Sequence, residues 1–234
     1  MGIVDRAKKV VVIGDVFADM ISKVQGFPET GGRTFGTSFM RNSGGTGGNI
    51  AAGLAVLGMK ASIVCGLGDD ENGEFLLEEL KQSGVNTEHV KVTAGLKSGA
   101  VPIMVDEDGE RVIYVLVKGS AFEAIEPEDL LFLEEMNPDA LCFTGVIIGA
   151  HPVEESAILA ARRWKGRAKL YFDPNLCYPA DQVPEEIKKA TRELADLCDV
   201  VLTGETEMRA LGLSPKKGQC YIVKCGGKRI KMDG

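Results

Sequence analysis

Carboxylates recur in this chain just behind short apolar runs. Asp15 and Asp19 follow Lys9–Ile13, and Asp69 and Asp70 follow residues 61–65 across a Gly-Leu-Gly. Asp173 and Asn175 close the run that begins at Lys169, and Glu205 and Glu207 stand behind Thr203 and Gly204. Carboxylates so placed suit bidentate hydrogen bonding to vicinal hydroxyls, or magnesium held through water. Each alone also reads as a turn residue or a helix cap. Their repetition is what points to a common site. A second signal is the glycine turn Gly44, Gly45, Gly47 and Gly48, interrupted by Thr46 and followed by Asn49. Glycines opening onto a helix let backbone N–H groups approach a ligand and aim the positive end of the helix at it.

These groups need elements to hold them. Lys9–Ile13 is a continuous apolar run, as in a strand covered on both faces. The glycine turn opens a helix over 46–58, whose apolar stripe is Ile50, Leu54 and Leu57. Strands are predicted at 61–65, 140–143, 169–172, 200–202 and 221–223, with helices at 71–83, 152–165, 184–197 and 205–211. Strands alternating with helices imply an α/β fold, an open, mostly parallel sheet with helices on both faces. In such sheets ligands bind beyond the carboxyl ends of the strands, where the carboxylates fall. Residues 32–41 and 99–117 break the rhythm. The second is a hairpin about Asp106-Glu-Asp-Gly109, and together they predict a small β-sheet that lies over the site as a lid or pairs with a second copy. The whole of 1–234 is expected to form a single domain.

Composition narrows the classes. A net charge of −7 and a pI near 5.1 argue against nucleic acid or an anionic membrane as the main partner. No run has the length of a membrane-spanning helix, and residues 1–9 have no signal-peptide apolar core, so a cytoplasmic location is expected. The six cysteines include no C-x-x-C pair and read as free thiols, and the isolated His89 and His151 give no metal cage. The turn is no Walker loop, since no lysine follows its glycines, and neither Gly14 nor Gly66 starts a complete G-x-G-x-x-G.

The order of motifs resembles the ribokinase-like (PfkB-type) carbohydrate kinases over essentially the whole length. Val12–Asp19, the turn 43–51, Gly66–Gly73, the hairpin 106–111, Phe172–Asn175, Thr203–Glu207 and Tyr221–Gly226 match that family's segments in order. The resemblance implies ATP-dependent phosphorylation, with magnesium, of a hydroxyl on a sugar or nucleoside. It places Asp15, Asp19, Gly44, Gly45, Thr46 and Asn49 on the substrate, with Phe17 either facing it or packed in the core. Asp173, Asn175 and Glu207 fall near the transferred phosphoryl group and magnesium, without direct metal ligation, and Lys224 and Gly226 near the nucleotide.

Three departures accompany the resemblance. No G-A-G-D, the motif whose aspartate acts as base in the family, occurs among the 234 residues, so no catalytic base is assigned and the chain is expected to be truncated. Gly204 replaces the asparagine of N-x-x-E, and Cys177 stands where many sugar kinases have arginine. An exposed β edge and apolar face are expected, with association of the isolated chain. A sugar-binding module of the same fold without catalysis is the alternative expectation.

Overall fold

The computed structural model describes residues 8–224 and 230–233. Its main sheet holds β1 (Lys9–Ile13), β4 (Lys60–Val64), β9 (Ala140–Thr144), β10 (Lys169–Asp173), β11 (Val200–Gly204), β12 (Cys220–Lys224) and β13 (Ile230–Asp233). The order is β13-β12-β11-β10-β9-β1-β4, parallel throughout except that β13 runs antiparallel to β12. β1 lies between β4 and β9, which is why a run of Val and Ile can be buried on both sides.

Helices α1 (Thr46–Val56) and α2 (Glu71–Gln82) build one core with Val12, Ile63, Leu67, Leu76 and Leu80. On the opposite face α3 (Leu133–Met136), α4 (Val153–Trp164), α5 (Glu185–Leu197) and α6 (Glu205–Leu211) accompany the larger core of Leu141, Phe143, Leu170, Phe172 and Trp164. Cover is unequal. Over β9–β11 the first face keeps a groove of about 640 Å³, lined by Ile50, Leu54, Met59, Cys142, Tyr171 and Leu202. An apolar groove is therefore present on this face among the described residues, beside α1 rather than at the closing strand.

A four-stranded sheet in the order β3-β2-β7-β8 stands apart from the main one. It is made of β2 (Phe17–Val24), β3 (Gly36–Gly44), β7 (Ala100–Val105) and β8 (Arg111–Ile113). β2 is an addition to the sequence-based expectation, which names no separate strand over residues 17–24. β5 (Gly66–Gly68) pairs with β6 (Lys91–Thr93) as a separate ribbon. The carboxylate of Asp70 caps α2 through Gly73 N–H at 2.9 Å and receives Ser98 Oγ at 2.7 Å, so the Gly66–Gly73 segment ties a helix to a loop.

Candidate functional site

The glycine turn uses its amides internally. Thr46 N–H and Gly47 N–H donate to the Asp15 carboxylate at 2.7 and 3.3 Å, and Gly48 N–H donates to the Asp15 carbonyl at 2.9 Å. Asn49 N–H closes on the Gly45 carbonyl at 3.0 Å. Thr144 Oγ1, at the end of β9, completes the Asp15 cluster at 2.7 Å. Asp15 is 1% exposed, and burial pushes its carboxyl above the usual range while these bonds pull it down. The expectation that Asp15 meets substrate, and that the opening of α1 offers free amides to a ligand, therefore gives way. Asp15 anchors the turn.

Asp19, four residues on, has a different environment. It sits on β2, in register with Asn42 on β3 and Val101 on β7, half-buried. Among the described residues nothing donates to its carboxylate, and burial together with the Asp15 charge pushes its pKa above the ordinary value. Gly44 makes room for it, since a Cβ there would lie 2.2 Å from Asp19 Oδ2. Gly45 has φ 86, a left-handed conformation that lets the chain turn from β3 into α1 against Asp15 and Val16. Two of the expected substrate glycines thus act by clearing space and turning the chain.

The other strand ends converge on the same rim. Asn175 Nδ2 donates to Thr46 Oγ1 at 2.6 Å across 129 positions of sequence. Lys224 Nζ, at the end of β12, reaches Asp173 at 2.8 and 3.1 Å, joining the expected nucleotide and phosphate residues into one ion pair. Glu207 accepts from Leu176 N–H, Gly204 N–H and Thr203 Oγ1. Asn49 is exposed on the first turn of α1. Gly226 lies outside the described residues. Of the two readings of Phe17, substrate-facing or core, the structure takes the core. Phe17 is 4% exposed and packs edge-on against Phe122 with ring centroids 5.3 Å apart.

A family model for the pfkB family carbohydrate kinases matches residues 7–223. The chain belongs to this family. Mouse (Mus musculus) ribokinase is 34% identical over 54% of this chain and 38% of its own length. The aminoimidazole riboside kinase of Salmonella typhimurium is 28% identical over 82% of this chain and 57% of its own. Among solved structures, an uncharacterized sugar kinase from Pyrococcus horikoshii in complex with ATP superposes with a TM-score of 0.83 at 25% identity, covering 96% of this chain and 73% of that one. The chain thus spans from 38% to 57% of the length of these two curated relatives.

Within this pfkB-family framework two residues contribute to which the sequence reading assigned no role. Thr144 and Thr203, both 0% exposed, carry hydroxyls that fix Asp15 and Glu207. Their only sequence signal is a threonine ending an apolar run. Glu207 already accepts three bonds, Asp173 is held by Lys224, and the described residues contain no group of three metal-ligating side chains. As arranged, these residues do not fit direct ligation of magnesium.

Proposed function

We propose that this chain binds a sugar or nucleoside through Asp19 and serves an ATP-dependent transfer of a phosphoryl group to one of its hydroxyls. One observation carries the proposal. The Asp19 carboxylate is half-buried, has no protein donor among the described residues, and has its space kept open by Gly44. A carboxylate in that state is made for two hydroxyl donors, such as a vicinal diol. Thr46, whose oxygen already accepts from Asn175, keeps its own O–H to donate, and the Asn49 amide offers both a donor and an acceptor.

Phosphoryl transfer is mostly positioning and charge neutralisation. Lys224 would meet nucleotide phosphates at the end of β12, exchanging part of its bond to Asp173 for them. Magnesium enters this proposal with the nucleotide. No residue of this chain is assigned as the proton acceptor. The four-stranded sheet supports two further parts of the proposal, a cover for the cleft and a homodimer surface, since Phe39 and Met40 on β3 are 70% and 51% exposed. The described cysteines are all free, in keeping with a cytoplasmic setting.

Calorimetric titration of ribose, fructose and nucleosides tests the binding half, and a panel assay with ATP tests transfer. Asp19→Ala is expected to weaken the best ligand by about thirtyfold or more, the loss of one or two charged hydrogen bonds. A variant that binds as well as the parent removes Asp19 from the site.

A further inference from the structure

Glu207 is spent on the protein rather than on a ligand. Its Oε1 accepts from Leu176 N–H at 2.5 Å, and its Oε2 accepts from Gly204 N–H at 3.0 Å and Thr203 Oγ1 at 2.9 Å. One side chain therefore ties the end of β11 to the turn that follows β10. Backbone holds the same turn from the other side, because a Cβ on Gly145 would lie 1.6 Å from the Pro174 carbonyl oxygen. Between these two holds sits Asn175, at φ 39 in the left-handed region that non-glycine residues rarely adopt. Its Nδ2 reaches Thr46 Oγ1 at 2.6 Å. That bond fills one lone pair of the Thr46 oxygen and so turns the hydroxyl proton away from Asn175.

We infer that Glu207 is a positioning residue for substrate binding. By fixing the Leu176 amide it holds Asn175 in the left-handed conformation, and Asn175 in turn orients the Thr46 hydroxyl beside the Asp19 cleft. The action runs from the phosphate-side rim to the sugar-side turn through one carboxylate, one amide and one hydroxyl. It uses no metal, because three of the four lone-pair positions of the carboxylate are already taken by protein donors. This inference rests on the sugar-binding reading for the role of Thr46; the Glu207–Leu176–Asn175 linkage stands apart from it.

Hydrogen exchange and calorimetry on the full chain test it together. In Glu207→Gln the Leu176 amide is expected to exchange about tenfold faster or more, with the β1 amides unchanged as a check on the fold. The dissociation constant of the best sugar or nucleoside should rise roughly five- to twentyfold, while the magnesium concentration that half-saturates ATP binding stays within about twofold. Asn175→Gly keeps the left-handed backbone, deletes the donor and leaves the three Glu207 bonds in place, so it should reproduce the loss of affinity. Adding Glu207→Gln to it should change affinity by less than about twofold. Additive losses overturn the inference. So does a shifted magnesium requirement with unchanged sugar affinity, which would assign the carboxylate to the metal. A parent chain that binds no sugar or nucleoside breaks the functional reading instead. In that case the side-chain amide resonances of Asn175 decide the positioning alone, and their insensitivity to Glu207→Gln would refute it.

Discussion

The two faces of the main sheet are built from the same strands and end in different environments. Toward α4, α5 and α6, Phe143, Phe172, Val201 and Tyr221 are 0–1% exposed. Toward α1, their neighbours along the same strands, Cys142, Tyr171, Leu202 and Ile222, stay partly exposed. In-register pairing carries the row Val12, Cys142, Tyr171, Val200, Cys220 across five strands, and only its first members lie under α1. An apolar run thus records what a strand is fit to pack against, and helix placement decides whether it does so. The half-covered face also leads to the chemistry, because Asp173, the partner of Lys224, lines the groove.

Matched truncations give the largest contrast. Phe172→Ala should cost about 3–5 kcal/mol in denaturant unfolding and Leu202→Ala roughly 1 kcal/mol, since the first leaves a sealed cavity and the second an open groove. Equal losses would erase the difference between the faces. Next comes association. The groove exposes apolar side chains such as Leu54 and Met59, and Val56 and Leu57 at the end of α1 are themselves 79% and 78% exposed, so the chain should self-associate and bind an apolar dye. Leu57→Lys combined with Leu202→Lys should lower the association constant in sedimentation about tenfold or more. A monodisperse parent that unfolds as a cooperative monomer would show the face to be inert.

A smaller effect is expected at the rim. Lys224→Met removes an ion pair whose lysine is 45% exposed, and stability should fall by less than about 1 kcal/mol. The most local effect is that of pH. Bonds from Arg167 and Arg163 hold the Glu134 carboxyl at about 2, below its ordinary 4.5. A lowered pKa contributes stability that is complete above 4.5 and fades as pH falls toward 2. Asp15 has the opposite sign, since burial raises its pKa, so its protonation in acid does not by itself cost the fold stability. Exchange measured from pH 5 to pH 2 should therefore loosen the contact of α3 with α4 before the start of α1. Glu134→Gln should remove that pH dependence.

Most of the strands and helices were legible because each is an uninterrupted local pattern. Helices expected at 71–83 and 184–197 are found at Glu71–Gln82 and Glu185–Leu197. Sidedness was not legible, since Cys142 and Tyr171 are as apolar as their buried neighbours. The difference between Asp15 and Asp19 was also hidden. They are four residues apart, but the chain leaves the main sheet between them, so one carboxylate meets the amides of α1 and the other stays half-buried with no protein donor among the described residues. The glycines have a role that spacing alone does not show, which is the room a carboxylate needs. Contacts such as that of Asn175 with Thr46 join residues too distant in sequence for any local pattern to announce.

Asn175 satisfies two independent requirements with one side chain, and this limits what can replace it. Glycine would keep the left-handed backbone and lose the donor. Glutamine would keep the donor on a chain one methylene too long and bear the strain of φ 39. Aspartate would tolerate the backbone yet offer an acceptor where a donor is needed. Saturation of this codon, scored by sugar binding, should return a position with almost no permitted alternatives beside exposed neighbours such as Tyr178 that accept many.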